Sequence, residues 1–588
     1  MADKKQQSYA LDSLFYRRFK ACITVISSSD SFLMLTMLLG LSIGQQLVIF
    51  NVGILPSNFM EVLGDKNKTE MKSLLIKAFT LIVTIALFNS ALKAVSGYLY
   101  LHWRKLLTIY LHKNYLQGSI HYALSSSLTD VKIDNVDQRI TQDVDRLCTS
   151  LSTIIGKIVI SPLIILYYSI KCFHATGATG PLIIYAYFLI GTFMNKLIMS
   201  FIVNLVYNQE AREGDFRFKH MKIRSFSESI AIIGSEIHEL FKVNQCLNRL
   251  LPVQRSIVNA EIILNISINF IDYLGSMISY FVISIPIFAG KYDNLTPVQL
   301  SAVISKNAFV SMYLINCFST LVDLSTQITD ISGYCHRIGE LIETMNDENS
   351  AKQDNKQHVL VSQKEDGSLI KISNLTYTSP VSGDNLLSGL NLEVFPKRNL
   401  LILGRTGIGK SSLFRILRDL WQPVRGSVTF SQVLFSKENS IMFLPQMPIF
   451  TNGSLLEQII YPNLIITSKR SHKMLDKVER VLDDVGLTSL IDRAGGLDVN
   501  PYWDWERNVS PGEMQRLTFA RLFYHRPKLV FLDEATSSMG LSEEECFYRY
   551  CEQLDITFVS ISHHDSLKEY HHNYLKINEG GSWEYGEL

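Results

Sequence analysis

The sequence predicts two joined parts, an α-helical membrane domain followed by a soluble α/β domain. Long apolar stretches fill the chain up to about residue 341, and short apolar strands alternating with helical segments follow them. Of the 588 residues, 47% are hydrophobic and only 19% are charged, and the mean hydropathy is +0.13. An ordinary soluble protein has about 25% charged residues. Some of these segments must therefore lie in lipid or in a very large core.

The membrane domain is predicted from six apolar stretches, each close to the length of a membrane-crossing helix. Such a helix needs about 20 residues. The stretches cover residues 32–54, 74–101, 151–168, 181–207, 262–289 and 298–324. The even number places both ends of the chain on one side of the membrane. A soluble protein with six buried helices is the alternative, and the distribution of charge disfavours it.

Basic residues give the orientation, because they concentrate in the loops on the cytosolic side of a membrane. The segment before the first span and the loops at about 102–150 and 208–261 hold many lysines and arginines, so these regions are expected in the cytosol. The opposite loops are short and carry N-glycosylation sequons at Asn67 and Asn294. Two further sequons, at Asn374 and Asn452, fall in the soluble domain and are expected to stay unmodified.

Net charge and cysteine spacing argue against two classes of function. With a net charge of +1, the chain has no overall attraction for nucleic acid, and no such partner is expected. The eight cysteines are scattered, and no pair has the spacing of a metal site or of a disulfide framework. We interpret them as free buried thiols.

A polar segment separates the two parts. Residues 346–368 are rich in Asn, Asp, Gln, Ser and Lys, a composition typical of a linker. The predicted domains are therefore a transmembrane domain at 1–345, the linker at 346–368 and a nucleotide-binding domain at 369–588.

The soluble domain contains a glycine-rich loop between a strand and a helix. The buried strand at 399–403 runs into the pattern G-x4-G-K-S and then into an apolar helix. In this setting the glycines let backbone amides and the helix N-terminus wrap around phosphates. Lys410 is expected to reach the β- and γ-phosphates, and Ser411 to ligate magnesium. The candidate nucleotide-binding residues of the loop are Gly404, Arg405, Thr406, Gly407, Ile408, Gly409, Lys410, Ser411 and Ser412.

A second motif supplies two carboxylates at the end of a strand. Residues 528–532 are mostly apolar, and Asp533 and Glu534 follow them directly. Asp533 suits the ligand shell of magnesium, and Glu534 suits a general base that polarises the attacking water. Such a strand end is common by itself, but its combination with the phosphate loop favours the catalytic interpretation.

Three further segments complete a family pattern. Residues 508–516 resemble the signature sequence of ABC transporters, Gln446 resembles their Q-loop, and His563 resembles their switch histidine. His564 is a rival for that last assignment. The order phosphate loop, Gln, signature, Asp-Glu, His is the order of that family. Five weak motifs in this order are a specific signal.

The resemblance implies an exporter-type ABC fold that binds ATP and Mg²⁺. It assigns catalysis to Glu534, His563 and Gln446, and magnesium binding to Ser411, Gln446 and Asp533. It also implies a dimer, because the phosphate loop of one domain works against the signature of another. The implied signature contacts to nucleotide come from Ser510, Gly512 and Glu513.

This chain departs from the family pattern at three places. Pro511 replaces the first glycine of the signature and has no N–H to offer a phosphate. Gly540 replaces the usual aspartate after the Asp-Glu pair, which we expect to loosen communication between two ATP sites. The usual adenine-stacking aromatic falls at Ser379. Tyr377 and Tyr461 are its candidate replacements, and Tyr461 is favoured.

The membrane half sharpens the resemblance. Residues 135–144 are similar to the first intracellular loop of subfamily D, the half-transporters of the peroxisomal type. Residues 214–221, 270–276 and 305–310 are similar to the lysosomal branch of that subfamily. One ATP-binding domain and six spans make half of a complete exporter. The resemblance therefore implies a homodimer embedded in membrane lipid.

The function that the resemblance implies is ATP-driven movement of cobalamin from the lysosomal lumen to the cytosol. Transport of fatty acyl-CoA, as in peroxisomal members, is one alternative. A regulatory or scaffold protein that binds ATP without transport is another. The expected location is the lysosomal membrane, with the endoplasmic reticulum membrane as a second location. A multi-pass lysosomal membrane protein and a cytosolic cobalamin chaperone are the further expected partners.

Two expectations concern coupling and the substrate path. Residues 137–144 and 227–240 connect spans on the cytosolic side and are candidates to transmit the motion of the ATP-binding domains. Lys306 falls about eight residues into the sixth span. A charge at that depth costs about 2.5–3.5 kcal/mol, so it should face a partner or a wet cavity. It is a candidate for the translocation path, and a purely structural role is the alternative.

Overall fold

The chain forms two compact units in a computed structural model. The structure describes residues 13–125, 133, 135–354, 359–362, 367–380, 382–436, 439–464 and 472–588. One unit comprises residues up to 113 together with 135–342, and the other comprises 114–134 together with 343–588. Residues 355–358 and 363–366 of the predicted linker lie outside the described residues. Its first part is helical up to Asp354, and Val359–Ser362 forms a strand.

Helices alone build the first unit. They are α1 (Ser13–Ile26), α2 (Ser29–Gly53), α3 (Leu55–Gly64), α4 (Lys68–Tyr115), α5 (Ile120–Ser125), α6 (Val136–Gln138), α7 (Val144–Thr176), α8 (Thr179–Ser225), α9 (Ser227–Ile233), α10 (Glu236–Phe288) and α11 (Pro297–Asp354), of which α5 and the ends of α4 and α11 belong to the second unit. A π-helical turn, Arg139–Asp143, leads from α6 into α7.

Five of the described helical segments are long and apolar enough to cross a membrane. They are Ser29–Gly64, Lys68–Tyr115, Val136–Thr176, Glu236–Phe288 and Pro297–Leu321. The remaining predicted span, the fourth at 181–207, falls in α8, which begins with the shorter apolar stretch Thr179–Met194. Large apolar side chains on these helices are exposed in the single chain, for example Ile76 at 68% and Phe79 at 69%. Such surfaces suit lipid, since its tails are as apolar as the side chains.

Glycines let the helices of this unit approach closely. A Cβ added at Gly53 of α2 would come within 1.8 Å of the Phe309 ring of α11, so a larger residue would require that ring to move. An aromatic cluster fills the neighbouring space, where the rings of Tyr168 and Tyr313 have centroids 4.4 Å apart. The Tyr313 hydroxyl donates to Gln46 Oε1 at 2.8 Å, which satisfies a polar group inside the apolar packing.

Ion pairs hold the helix ends of the first unit that are predicted to be cytosolic. Arg139, with only 5% of its side chain exposed, pairs with Glu340 at 2.7 Å. One helical turn away on α11, Arg337 pairs with the buried Asp143 at 2.9 Å. Each guanidinium thus neutralises a carboxylate on the opposite segment. Buried charges require such pairing. Together the pairs join the π-helical turn to α11.

Two sheets and a set of helices build the second unit. The strands are β1 (Val359–Ser362), β2 (Ile370–Thr378), β3 (Asn385–Val394), β4 (Leu400–Leu403), β5 (Arg425–Ser431), β6 (Ile441–Leu444), β7 (Leu529–Asp533), β8 (Thr557–Ile561), β9 (Asn573–Ile577) and β10 (Trp583–Glu587). The helices are α12 (Lys410–Leu417), α13 (Leu455–Ile460), α14 (His472–Asp484), α15 (Ser489–Ala494), α16 (Trp505–Asn508), α17 (Pro511–His525) and α18 (Leu541–Gln553).

The larger sheet positions the candidate site. Its order is β10-β9-β4-β8-β7-β6, and the smaller sheet has the order β1-β5-β2-β3. Strands β9, β4, β8, β7 and β6 are parallel, and β10 is antiparallel to β9. The central strands are buried along most of their length, as in a sheet covered on both faces. Because the carboxyl ends of parallel strands meet at one edge, the loops that follow β4, β6, β7 and β8 lie together there.

The short helix α5 is part of the second unit even though it lies between two membrane helices in the chain. Its apolar residues Ile120, Ala123 and Leu124 are buried. The Trp421 indole Nε1–H donates to the Tyr122 hydroxyl at 2.9 Å. These contacts attach α5 to the segment that follows α12.

Candidate functional site

The phosphate loop lies at the carboxyl end of β4, as its sequence predicts. The loop bends sharply at Gly404, where φ is +148° and an added Cβ would come within 2.7 Å of the Ile577 carbonyl oxygen. Lys410 begins α12, and its ammonium donates to the carbonyl oxygens of Gly404 at 2.7 Å and of Arg405 at 3.1 Å. The cation therefore lies against the loop, where a bound phosphate would lie. Burial lowers the pKa of Lys410, while the carboxylates of Glu534 and Asp533 oppose that shift.

The Tyr377 side chain supports this loop from inside the domain. It is fully buried, and its hydroxyl donates to the Gly409 carbonyl oxygen at 3.1 Å. Burial also raises the pKa of this phenol, so it stays protonated as a donor. With both ring faces inside the core, Tyr377 offers no surface for an adenine ring, which leaves Tyr461 as the candidate for that role.

The two carboxylates after β7 point to different partners. Ser411 Oγ donates to Asp533 Oδ1 at 3.0 Å. Burial raises the pKa of Asp533, and the Ser411 hydrogen bond opposes that rise. The hydroxyl of Ser411, the Asp533 carboxylate and the amide oxygen of Gln446 are oxygen donors, the type that Mg²⁺ prefers. These side chains therefore fit the metal that the motif implies.

Glu534 brings the Q-loop and the histidine loop together. Its Oε2 accepts a hydrogen bond from Gln446 Nε2 at 2.8 Å. Its Oε1 lies 3.3 Å from His563 Nε2. The same His563 nitrogen lies 3.3 Å from the Lys410 ammonium. The side chains of Lys410, Glu534, Gln446 and His563 thus converge, although the residues are up to 153 positions apart in the chain.

The two adjacent histidines have different partners in the structure. His563 faces Glu534 and Lys410, whereas His564 Nδ1 lies 2.8 Å from Glu544 Oε2 on α18. Only His563 therefore reaches the phosphate-loop side of the site. The sequence could not separate the two, because both follow the same strand.

The signature segment begins α17 with a reciprocal cap. Ser510 Oγ accepts from the Glu513 backbone N–H at 3.3 Å, and Glu513 Oε2 accepts from the Ser510 backbone N–H at 2.9 Å. Pro511 is the first residue of the helix, a position whose N–H has no partner within the helix, so proline fits there. Burial works against ionisation of Glu513, but hydrogen bonds from Ser510 and Arg493 prevail and lower its pKa.

Contacts tie the signature helix to the loop after Glu534. Gln515 Nε2 donates to Ser537 Oγ at 3.1 Å, and Gln515 Oε1 accepts from the Ser538 backbone N–H at 2.8 Å. A Cβ added at Gly512 would approach the Ser538 carbonyl oxygen to 3.1 Å, so the two segments are in contact. Sequence reasoning missed Gln515, since nothing in its neighbourhood identifies the partner loop.

Tyr461 is placed by contacts with α17. The Arg521 guanidinium lies 5.0 Å from the centroid of the Tyr461 ring. The Tyr461 carbonyl oxygen lies 3.1 Å from His525 Nε2. Burial lowers the pKa of Arg521 to about 10. These contacts do not join Tyr461 to the phosphate loop, and stacking on adenine stays a prediction for this residue.

Comparisons with known proteins agree with this geometry. Residues 19–288 match the family "ABC transporter transmembrane region 2", and residues 387–537 match the family "ABC transporter". The mouse protein "Lysosomal cobalamin transporter ABCD4" is 43% identical over 95% of this chain and 93% of its own length. The human protein of the same name is 42% identical over 98% of this chain and 96% of its own length. The chain belongs to the ABC transporters, as a half-transporter of subfamily D.

A solved structure confirms the fold of the half-transporter. A bacterial Atm1-family ABC exporter with ATP bound has a TM-score of 0.67, with 98% of this chain and 96% of that chain covered. At 15% identity this likeness concerns the fold alone. The exporter-type membrane domain and the α/β nucleotide-binding domain predicted from the sequence are therefore confirmed. The half-transporter binds ATP and couples its hydrolysis to transport, and it works as a dimer.

Proposed function

We propose that this half-transporter moves cobalamin from the lysosomal lumen to the cytosol. The observation that carries the proposal is the identity of 43% and 42%, over nearly the whole chain, to two proteins named as lysosomal cobalamin transporters. Human "ATP-binding cassette sub-family D member 3" is 29% identical over 89% of this chain. The similarity covers the membrane half, where a substrate is recognised, and favours cobalamin over fatty acyl-CoA.

In the proposed mechanism, two copies of the chain form two equivalent composite ATP sites. The phosphate loop of one copy holds ATP, and the signature residues Ser510, Gly512 and Glu513 of the other copy close over it. Lys410 neutralises charge on the β- and γ-phosphates. Closure of the two nucleotide-binding domains changes the conformation of the membrane domains, and hydrolysis of ATP allows the dimer to reopen. The helix N-terminus at Ser510 adds the electrostatic attraction for phosphate that such ends provide.

Ser411, Asp533 and Gln446 would hold Mg²⁺, which neutralises phosphate charge when bound. Glu534 orients the attacking water and accepts its proton, because its carboxylate lies at the edge shared by both catalytic loops. His563 holds the Glu534 carboxylate through the 3.3 Å contact between His563 Nε2 and Glu534 Oε1. Each role is performed by a side chain already directed at its neighbours in the site.

Localisation and partners extend this proposal. The short loops with Asn67 and Asn294 would face the lumen, and the nucleotide-binding domain would face the cytosol. We expect the lysosomal membrane as the working location and the endoplasmic reticulum membrane as an earlier one. A multi-pass lysosomal membrane protein would direct the chain there. A cytosolic chaperone would accept the released cobalamin.

Lys306 is the candidate contact for the substrate. Its side chain is exposed on α11, nine residues after Pro297. At 1.5 Å per residue this is a depth of roughly 14 Å, where a lysine facing lipid would be costly. A wet translocation path would relieve that cost. Cobalamin carries a phosphodiester, which would be attracted to this ammonium in a setting of low dielectric constant.

Substrate-stimulated ATP hydrolysis by the purified full chain in nanodiscs tests the substrate assignment. Cobalamin should raise the rate, and a long-chain acyl-CoA should leave it unchanged. Lys306→Met should keep basal hydrolysis while weakening stimulation by cobalamin. Lys72→Met, at an exposed site near the start of α4, is the control. Stimulation by acyl-CoA alone would reject cobalamin, and a wild-type chain without hydrolysis would instead favour the scaffold alternative.

A further inference from the structure

A buried carboxylate beside the ATP site has no part in the mechanism described so far. Glu544 lies on α18 with 1% of its side chain exposed. Its Oε1 accepts a hydrogen bond from Thr536 Oγ1, and its Oε2 lies 2.8 Å from His564 Nδ1. An ionised carboxylate only accepts hydrogen bonds, so His564 donates from Nδ1. Both oxygens are thus satisfied, as a buried charge requires.

The two partners of Glu544 lie on the two loops that carry catalytic groups. Thr536 follows Glu534 by two residues, and His564 is adjacent to His563. The loops leave neighbouring strands, since Asp533 of β7 pairs with Ile561 of β8. Beyond that pairing, the side chain of Glu544 connects the loops a second time, from the α18 side.

The distances at the site show why this connection matters. His563 Nε2 lies 3.3 Å from both Glu534 Oε1 and the Lys410 ammonium. A hydrogen bond weakens steeply when its atoms separate or its angle narrows. A displacement of either loop would therefore break the contact of His563 with Glu534. The Glu534 backbone N–H donates to the Ile561 carbonyl oxygen at 3.0 Å, which ties the start of one loop to β8. Glu544 holds the two loops at residues beyond this backbone contact, so it bears directly on the separation of His563 from Glu534.

We propose that Glu544 is a positioning residue. It clamps Thr536 and His564 together and thereby keeps the His563 side chain within contact distance of Glu534. The inference rests on the proposed roles of Glu534 and His563. Glu544 contacts neither substrate nor water in this account. It acts on the rate of hydrolysis through the two loops, and it should leave nucleotide binding unchanged.

Variants of His564 test the clamp with little risk to folding, because 41% of that side chain is exposed. His564→Ala removes the donor to Glu544. His564→Asn keeps it, since the asparagine Nδ2 takes the place of Nδ1. Thr536→Val removes the second donor at similar volume, and Glu545→Ala on the same helix is the control. The measurements are kcat and KM for ATP hydrolysis by the full chain, the ATP dissociation constant and the thermal midpoint.

The expected result is a separation of rate from binding. His564→Ala and Thr536→Val should lower kcat by about tenfold to a hundredfold, with the ATP dissociation constant unchanged, and His564→Asn should recover most of the rate. A wild-type kcat in His564→Ala, or equal losses in His564→Ala and His564→Asn, would overturn the clamp. Glu534→Gln runs in parallel, because undiminished hydrolysis there would reject the proposed function of the site instead.

Discussion

At the scale of single residues, a strained backbone position orders the ATP site. Glu534 has a φ of +46°, in the left-handed region that residues other than glycine rarely adopt. This turn lets Asp533 face Ser411 while Glu534 faces Gln446 and His563. Strain of about 1–3 kcal/mol at such a position persists only when its surroundings hold it in place. Here the surrounding contacts are the same ones that join the residues proposed for hydrolysis.

Stability should depend on pH because of His571, a buried histidine just before β9. His571 is 5% exposed, Nδ1 lies 2.6 Å from the Leu567 carbonyl oxygen, and burial lowers its pKa to about 4. Unfolding returns that pKa to about 6.5, so stability present above pH 6.5 is lost as the pH falls toward 4. The loss is up to about 3 kcal/mol. Thermal unfolding of the full chain measures it across this pH range.

His571→Asn keeps the donor to Leu567 and cannot titrate, so it should flatten the dependence of the thermal midpoint on pH between 6.5 and 4. His472→Gln, at an exposed site on α14, is the control and should follow the wild-type curve. An unchanged slope in His571→Asn would show that other groups cause the loss.

Pro511 gives a second prediction at this scale. It fits the first position of α17, but it cannot supply the N–H that glycine would offer to a γ-phosphate. Pro511→Gly and Pro511→Ala should both raise the maximal rate of ATP hydrolysis, because both restore the donor. Similar increases in rate for both variants would show that the restored N–H, rather than greater backbone flexibility, causes the gain. Equal or lower rates in both would reject the missing donor as a limit on catalysis.

At the scale of elements, the contact of α5 connects a membrane-helix loop to the nucleotide-binding domain. Trp421 follows the phosphate-loop helix, and the Arg415 guanidinium lies 5.0 Å from the centroid of the Trp421 ring. The Trp421 Nε1–H donates to the Tyr122 hydroxyl. The contact belongs to the same unit as the ATP site. We therefore expect α5 to respond when α12 moves with nucleotide.

Tyr122→Phe and Trp421→Phe each remove this hydrogen bond while keeping most of the packing. Each should reduce stimulation of ATP hydrolysis by cobalamin and leave the ATP dissociation constant unchanged. Their double variant should lose no more than either single variant, because both act on one bond of about 1 kcal/mol. Additive losses would mean that the two residues act separately.

Sequence patterns predicted the elements whose signals are local. The strand, glycine loop and helix around Lys410 are contiguous, and the strand before Asp533 is a continuous apolar run. The partner of Trp421 could not be predicted in this way, because Tyr122 lies 299 residues away. Glu544 was missed for the same reason. Its two partners meet it only after β7 and β8 pair and α18 folds back.

At the scale of the whole molecule, lipid replaces part of the protein core. Apolar residues such as Leu182 at 71% exposure and Phe288 at 89% lie on predicted spans. The apolar stretches and the charge asymmetry were enough to predict the membrane domain, since both follow from the bilayer as a solvent. Helix lengths beyond the membrane were not predictable, because α4 and α10 continue as helices into polar sequence.

Glycan mapping tests the orientation. Asn294, Asn374 and Asn452 are all exposed, so accessibility alone does not separate the lumenal sequon from the two in the nucleotide-binding domain. Sugar should be found at Asn294 or Asn67 and at neither Asn374 nor Asn452, because only lumenal sites meet the transferase. Mass spectrometry of the protein from a glycosylating host measures this. Sugar at Asn374 would reverse the topology.

The central claim is that ATP hydrolysis by this chain drives cobalamin across a membrane. Its most direct test is release of labelled cobalamin from proteoliposomes that are loaded with it and contain the purified chain with its nucleotide-binding domains outside. Release is followed after ATP and Mg²⁺ are added. The account predicts ATP-dependent release by the wild-type chain and none by Glu534→Gln, although Glu534→Gln still binds ATP. Release that is equal for both proteins, or absent for the wild-type chain while it hydrolyses ATP, would contradict it.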